Sequence, residues 1–345
     1  MRTAALATRL ELPLLVTDSA NVWYLVGLRS SNAALLVEPD GSATVYADFR
    51  YAEKARALEG VTFVETSRDL LASLAENLSG RRLAFEEEQV TVAGHRVLVE
   101  GGVELVPTAG LVEALRAVKD DVELDAIRRA AALSDQVFAA LADERFVGRT
   151  EKELVWWIER SFRETGAETL AFSSIVAAGE TGASPHADPG ERVIERGMLV
   201  TVDTGCTVDG YCSDCTRTFS TGELPGRLAD AYALCLEAQL AGLAAVRPGV
   251  SGRDADAASR EPVDAAGLGW AYGHGLGHGV GIEVHEAPVL RPESKDVLEP
   301  GNVVTVEPGI YLPGEGGVRI EDLVLVTADG SERLTQFPKE LITVS

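Results

Sequence analysis

Positive charge is scarce in this chain of 345 residues: 31 Lys and Arg stand against 54 Asp and Glu, a formal charge of −23. Such a surface repels phosphate backbones and anionic lipid, which argues against nucleic acid or a membrane as partner and favours the attraction of divalent cations to an acidic cleft. Long apolar runs are also lacking. The opening MRTAALATRLELP has neither a sustained apolar core nor a convincing cleavage site, so neither a membrane span nor an export signal is expected. Cysteine is confined to Cys206, Cys212, Cys215 and Cys235. That is no secreted disulfide framework, and a reducing, cytoplasmic setting is expected. Cys212 and Cys215 make a single CxxC with Asp214 between them; without a second pair they read as small, partly buried strand residues rather than a zinc or redox site. Histidine is sparse too, with His95 alone in the first half and the other four between 186 and 285.

The remainder is ordinary globular protein, 46% hydrophobic and 25% charged, long enough for two domains with a core each. Residues 1–115 alternate strand-like and helix-like segments. LPLLVTD and NVWYLVG read as strands, and AALLVEPDGSATVYAD as a hairpin around Asp40-Gly41. FRYAEKARALEG and DLLASLAENLSG read as helices stopped by Gly60 and Gly80. RLAFEEE and VELVPT supply further strands. Beyond the join, Leu124, Ile127, Ala131, Phe138 and Leu141 fall on one helical face. Thr150 with Glu153 forms a capping box for a helix that Gly166 should end, with Trp156 and Trp157 as its core and rim.

The second half states one phrase twice: ERGMLVTVDTG at 195–205 and EPGNVVTVEPG at 299–309. Each delivers an acid, Asp203 or Glu307, at the end of a β-branched run. Each is followed by a second strand-like run with another acid, Asp214 in YCSDCTRTF and Glu321 in GGVRIEDLVLV. Two hairpins related by a pseudo-twofold and facing one site are expected. In a strand, residues two apart share a face, so Thr201 sides with Asp203, Thr305 with Glu307, Asp214 with Thr216 and Arg319 with Glu321. Arg217 and Arg319 are too few to neutralise four acids among aliphatic neighbours, which favours metal over buried ion pairs. YGHGLGHGVGIEVHE at 272–286 adds His274, His278 and His285. Its alternating glycines make a zinc-binding helix through His274 and His278 unlikely and point to extended backbone in close approach to something. A carboxylate-rich set with one imidazole suits two hard to borderline ions, Mn²⁺, Co²⁺ or Zn²⁺, that activate a water for attack on a carbonyl.

VTVDTG, SDCTRTF, GHGLGHGVGIEVHE, TVEPGIY and GVRIED together resemble the motif set of the pita-bread metallopeptidases, in particular Xaa-Pro dipeptidases (prolidases) and Xaa-Pro aminopeptidases. LLVTDSANVWYLVGL and ADFRYAEKA resemble the creatinase-type N-terminal domain of those enzymes. The resemblance implies an α+β fold: a small α/β creatinase-type domain over 1–115, then a pita-bread catalytic domain over 116–345. It implies two divalent ions per subunit, Mn²⁺ or Co²⁺ ahead of Zn²⁺, with Asp203 on the first, His278 and Glu307 on the second, and Asp214 and Glu321 bridging. Glu307 is then also the base, His285 binds the scissile amide and stabilises the tetrahedral intermediate, His186 and His274 line the substrate pocket, and Arg319 orients the site. Where many relatives carry Arg after VHEAP, this chain has Val289, and Arg291 two positions on is the candidate for a substrate carboxylate. The implied enzyme is a homodimer acting on small proline-containing peptides, as a dipeptidase or alternatively as an aminopeptidase on longer ones. A methionine aminopeptidase normally lacks the N-terminal domain, and a creatinase-like amidinohydrolase lacks the ligands. An inactive protein-binding relative is the reading from another class.

Overall fold

In the computed structural model, which describes residues 2–345, the chain divides into two units, Met1–Arg116 and Ala117–Ser345. The strands of the first unit are β1 (Leu14–Val16), β2 (Ala33–Val37), β3 (Ala43–Asp48), β4 (Thr62–Thr66), β5 (Arg82–Glu86) and β6 (Glu104–Thr108). They form one mixed sheet in the order β4-β3-β2-β1-β5-β6. The hairpin expected at Asp40-Gly41 joins β2 to β3, with Gly41 at φ 87° and the Asp40 carboxylate accepting from Ser42 N–H. Two expectations here are corrected. NVWYLVG is not a strand but most of the helix Ser19–Val26. Asp18 caps it by accepting from Asn21 N–H, and Gly27 at φ 76° closes it, so the end signals override the β-branched and aromatic propensity between them. The helices in FRYAEKARALEG and DLLASLAENLSG span only Ala52–Arg56 and Leu70–Asn77 and stop short of Gly60 and Gly80, the first tightening its last turn through Ala57 N–H to Lys54 O and the second ending at Leu78.

The second unit opens with the helix Asp121–Ala142, started by a capping box of Asp120 and Glu123, and all five residues expected on its inner face are buried. The Thr150–Glu153 box starts the helix Glu151–Thr165 and Gly166 at φ 99° ends it. Leu154, Ile158 and Phe162 take the buried face at a spacing of four. That leaves Trp156 on the opposite side at 67% exposed and Trp157 half-buried, so neither is core. Phe138, Phe146, Phe219 and Phe337 then cluster, with ring centroids 5.3–6.5 Å apart. The helix Gly226–Ala245 is, by length and composition alone, apolar enough to cross a bilayer, which qualifies the sequence expectation. Here it packs on the helix Gly252–Ala265 and buries Leu228, Tyr232, Cys235 and Ala238 in a core with Ile310 and Val318.

The repeated phrase becomes a repeated topology. β7 (Thr169–Leu170) and β8 (Ile175–Ala178) precede β9 (Leu199–Thr204), which is followed by a small hairpin of β10 (Cys206–Val208) and β11 (Tyr211–Cys212) and then by β12 (Cys215–Ser220), antiparallel to β9. After β13 (Gly277–Gly279) and β14 (Glu286–Leu290), β15 (Val303–Val306) is likewise followed by a hairpin of β16 (Gly309–Leu312) and β17 (Gly316–Arg319). β18 (Asp322–Val326) returns antiparallel to β15, and β19 (Ser331–Arg333) borders it. Both copies are therefore strand, hairpin, strand. They are stitched together where Glu321 N–H donates to Thr216 O and Thr218 Oγ1 donates to Arg319 O. The glycines of β13 meet the expectation of close approach. A Cβ on Gly277 would overlap the Thr305 carbonyl of β15, and one on Gly279 the Ala287 carbonyl of β14.

Candidate metal centre

Only Asp203 of the four acids lies inside a strand, in β9 opposite Thr216 of β12. Asp214 sits in the break before β12, Glu307 just past β15 and Glu321 in the break before β18. Strand ends are where a side chain can leave the pleat and converge on its neighbours, and these do. One ligand atom each of Asp214, His278 and Glu321 lie within 4.8 Å of one another. His278 Nε2 is 3.1 Å from Glu307 Oε1 and 3.7 Å from Asp214 Oδ2.

Arg319 is the only cation that reaches the acids from among the two arginines of the return strands. Its Nη2 donates to Asp203 Oδ2 at 2.6 Å, its Nε to Thr216 Oγ1 at 3.1 Å and its Nη1 to Tyr311 OH at 2.9 Å. Thr216 Oγ1 in turn donates to Glu321 Oε2 at 2.7 Å. Arg217, buried, faces away and pairs with Asp322 at 2.8 Å, an acid that also takes Lys339 at 2.8 Å. Among the described residues, four acids, Asp214 and Glu321 buried and Asp203 and Glu307 half-buried, thus share one guanidinium and one imidazole.

The acids respond as crowded carboxylates do. Burial, then the charges of Glu321 and Asp203, hold Asp214 well above the usual carboxylate range, and burial with the charges of Glu307 and Asp203 does the same to Glu321. Asp203 is raised by burial in spite of Arg319. Glu307 is the exception: burial works to raise it, but the hydrogen bond and charge of His278 bring it down to about 2. Burial lowers His274 and, together with the charge of His278, lowers His285.

Two observations show that divalent cations fit here. Asp203 Oδ1 is buried without a hydrogen-bond partner. His278 Nδ1 lies 3.1 Å from Gly279 O, so this nitrogen carries the proton and the Nε2 lone pair faces two carboxylates. That arrangement repels unless a cation or an extra proton intervenes. Asp203, Asp214, His278, Glu307 and Glu321 are the residues that could hold the ions.

All ten candidate residues line one cleft of about 560 Å³, His186 and Arg291 being exposed at its edge. His285 packs edge-on against His278 with ring centroids 4.3 Å apart and belongs to the cleft wall. His274 Nε2 lies 2.8 Å from Tyr311 OH, which also receives Arg319. Sequence reasoning missed Tyr311, the apolar wall of Phe172, Ile175 and Val284, and the roles of two threonines. Thr305 Oγ1 accepts from His278 N–H and donates to Glu307 Oε1 at 3.0 Å, while Thr216 supports Glu321. The threonines had a signal, their place two residues from an acid on the same face; Tyr311 closes the TVEPGIY motif, but no spacing pointed to His274 as its partner. The four cysteines are buried thiols, and burial pushes Cys206 up to about 11 and Cys235 up to about 12, as expected of strand and core residues rather than reactive ones.

The site has the composition of a hydrolytic metal centre, and comparison with known proteins agrees. Residues 125–328 match metallopeptidase family M24, and residues 13–118 match the creatinase/prolidase N-terminal domain. An uncharacterized peptidase, YqhT, of Bacillus subtilis is 38% identical over 335 residues, 95% of each chain. Among solved structures, an Xaa-Pro dipeptidase from Bacillus anthracis is 38% identical with a TM-score of 0.95, covering 100% of this chain and 99% of that one. An X-Pro aminopeptidase from Thermotoga maritima is 31% identical with a TM-score of 0.89, covering 100% of both. The α+β, pita-bread organisation expected from the sequence is that of this group. The chain is a metal-dependent peptidase of family M24, carrying the creatinase/prolidase N-terminal domain ahead of its catalytic unit.

Proposed function

We propose that the protein is an Xaa-Pro dipeptidase with two divalent ions, Mn²⁺ or Co²⁺ ahead of Zn²⁺, working as a cytoplasmic homodimer. The observation that carries this reading is the convergence of four acids and His278, with Asp214 and Glu321 buried and the other three half-buried, in a cleft whose wall holds His285, His274 and His186 and whose edge holds Arg291. Asp203, Asp214, His278, Glu307 and Glu321 would hold the ions. Bound there, the ions supply Lewis acidity and a water acidified enough to attack a carbonyl.

The chain's own residues do the rest. Glu307 takes the proton of the attacking water on its carboxylate and returns it to the prolyl nitrogen as the C–N bond breaks. His285, kept neutral by burial, donates an N–H to the scissile amide and to the oxygen on which negative charge develops. Arg319 holds Asp203 in place through a hydrogen bond of 2.6 Å. The apolar wall of Phe172, Ile175 and Val284 suits a proline ring. Arg291 pairs with the free carboxylate of a dipeptide, which a longer peptide does not offer there.

The test compares hydrolysis of Xaa-Pro with that of Xaa-Pro-Yaa under Mn²⁺, Co²⁺ and Zn²⁺. Faster cleavage of the dipeptide supports the assignment, preference for the tripeptide makes the protein an aminopeptidase, and no cleavage of either favours a binding role. Sedimentation at working concentration tests the dimer.

A further inference from the structure

The backbone that leads into β13 has almost nothing of its own to hold it. Residues 272–279 read YGHGLGHG, and Tyr272–Leu276 lies outside any helix or strand. Yet this stretch sets His274 in the cleft and leads to His278. Beside the bonds of Tyr272 N–H to Gly269 O and His274 Nε2 to Tyr311 OH, its backbone is held by one ion pair on the helix Gly252–Ala265.

Asp256 and Arg260, four residues apart, form a two-pronged pair, with Nε donating to Oδ2 at 3.0 Å and Nη2 to Oδ1 at 2.9 Å. The same guanidinium donates from Nη1 to Tyr272 O at 3.1 Å and from Nη2 to His274 O at 2.8 Å, and lies 4.0 Å over the Tyr272 ring. Asp256 Oδ1 also accepts from Leu276 N–H at 2.9 Å. Leu276 O accepts from Glu307 N–H at 2.8 Å. Three backbone groups within five residues therefore rest on two side chains, and the run of bonds ends on the backbone of a candidate ligand.

A buried ion pair returns little net stability, and Asp256 is 2% exposed. A planar fork that bonds a carboxylate and two carbonyls at once is something Arg offers and Lys does not. We infer that Asp256 and Arg260 are positioning residues, which set His274 directly and Glu307 through Leu276 at the places the peptidase reaction needs. The inference rests on the proposed function, from which it takes the pocket role of His274.

Arg260→Met keeps the apolar stem and removes the fork. With metal content verified as unchanged, kcat/KM for an Xaa-Pro dipeptide is expected to fall between about ten- and a hundredfold. In a His274→Ala background the same change should cost clearly less than in the wild type, because the part of its effect that acts through His274 is gone and only the part through Leu276 and Glu307 remains. Amide exchange at Leu276 and its neighbours should quicken in Arg260→Met, a readout independent of turnover. Arg260→Lys, which keeps the charge, should show the same pattern and serves if Arg260→Met does not fold. Full additivity with His274→Ala, or unchanged exchange at Leu276, overturns the inference. If the wild type cleaves no Xaa-Pro peptide the functional reading fails separately, and the exchange measurement still decides the positioning role.

Discussion

Thr216→Val is the most informative small change in the site. Thr216 is fully buried, and valine has nearly its shape, so the substitution removes a hydroxyl without opening a cavity. That hydroxyl donates to Glu321 Oε2 at 2.7 Å and accepts from Arg319 Nε at 3.1 Å, linking the proposed bridging carboxylate to the guanidinium that pairs with Asp203. A hydrogen bond to a charged group contributes about 1.5–3 kcal/mol, which corresponds to about ten- to a hundredfold in an equilibrium constant. Loss of an outer partner of a metal-binding carboxylate is of the same size. Affinity for Mn²⁺, measured by competition with a chelator of known affinity, should therefore weaken by that factor. Activity should be recovered at high metal with little change in KM. Thr216→Ser, which keeps the donor, should remain near wild type. Unchanged metal affinity in a folded Thr216→Val protein would refute the view that Glu321 is held as a ligand by this hydroxyl.

Three further outcomes follow from the same geometry. His285→Ala should keep its metal and lose much of its turnover, since His285 lies on the cleft wall beside His278; loss of metal would show that the two histidines have been confused. Arg291→Ala should raise KM for Xaa-Pro and leave Xaa-Pro-Yaa nearly unchanged, measured by initial rates on both. Metal-free protein should lose thermal stability as pH rises above about 4, the ordinary carboxylate range. Burial and the neighbouring acids raise Asp214 and Glu321 in the folded state, so it binds more protons than the unfolded chain there. His278, raised by Glu307 in spite of burial, acts in the same direction. Saturating Mn²⁺ should abolish that pH dependence of Tm, and a metal-free Tm that climbs from pH 5 to pH 8 would contradict the account.

The repeated phrase made the site legible because a strand fixes which residues share a face. VTVD and VTVE named the two acids, and the runs around Asp214 and Glu321 supplied the return strands that pair with β9 and β15. Capping signals were equally local, and Thr150, Glu153 and Gly166 behaved as read. The strand expected at NVWYLVG failed because propensity was weighed above Asp18 and Gly27 at its two ends. Tyr311, and the Asp256–Arg260 pair, were out of reach for a different reason. Tyr311 meets His274 across 37 positions, and Asp256 meets Leu276 across 20, so their partners are set by folding and by no spacing along the chain.

The central claim is that the acids of both hairpins hold two ions needed for hydrolysis. Counting divalent ions per chain by elemental analysis, in the wild type and in Glu321→Ala, alongside Xaa-Pro hydrolysis before and after chelation, tests it most directly. The account predicts two ions per wild-type chain, loss of activity on chelation with return on Mn²⁺ or Co²⁺, and a fall in both metal content and rate in Glu321→Ala, because that carboxylate serves both ions. Full activity after thorough metal removal, or a Glu321→Ala protein with two ions still bound, would contradict it.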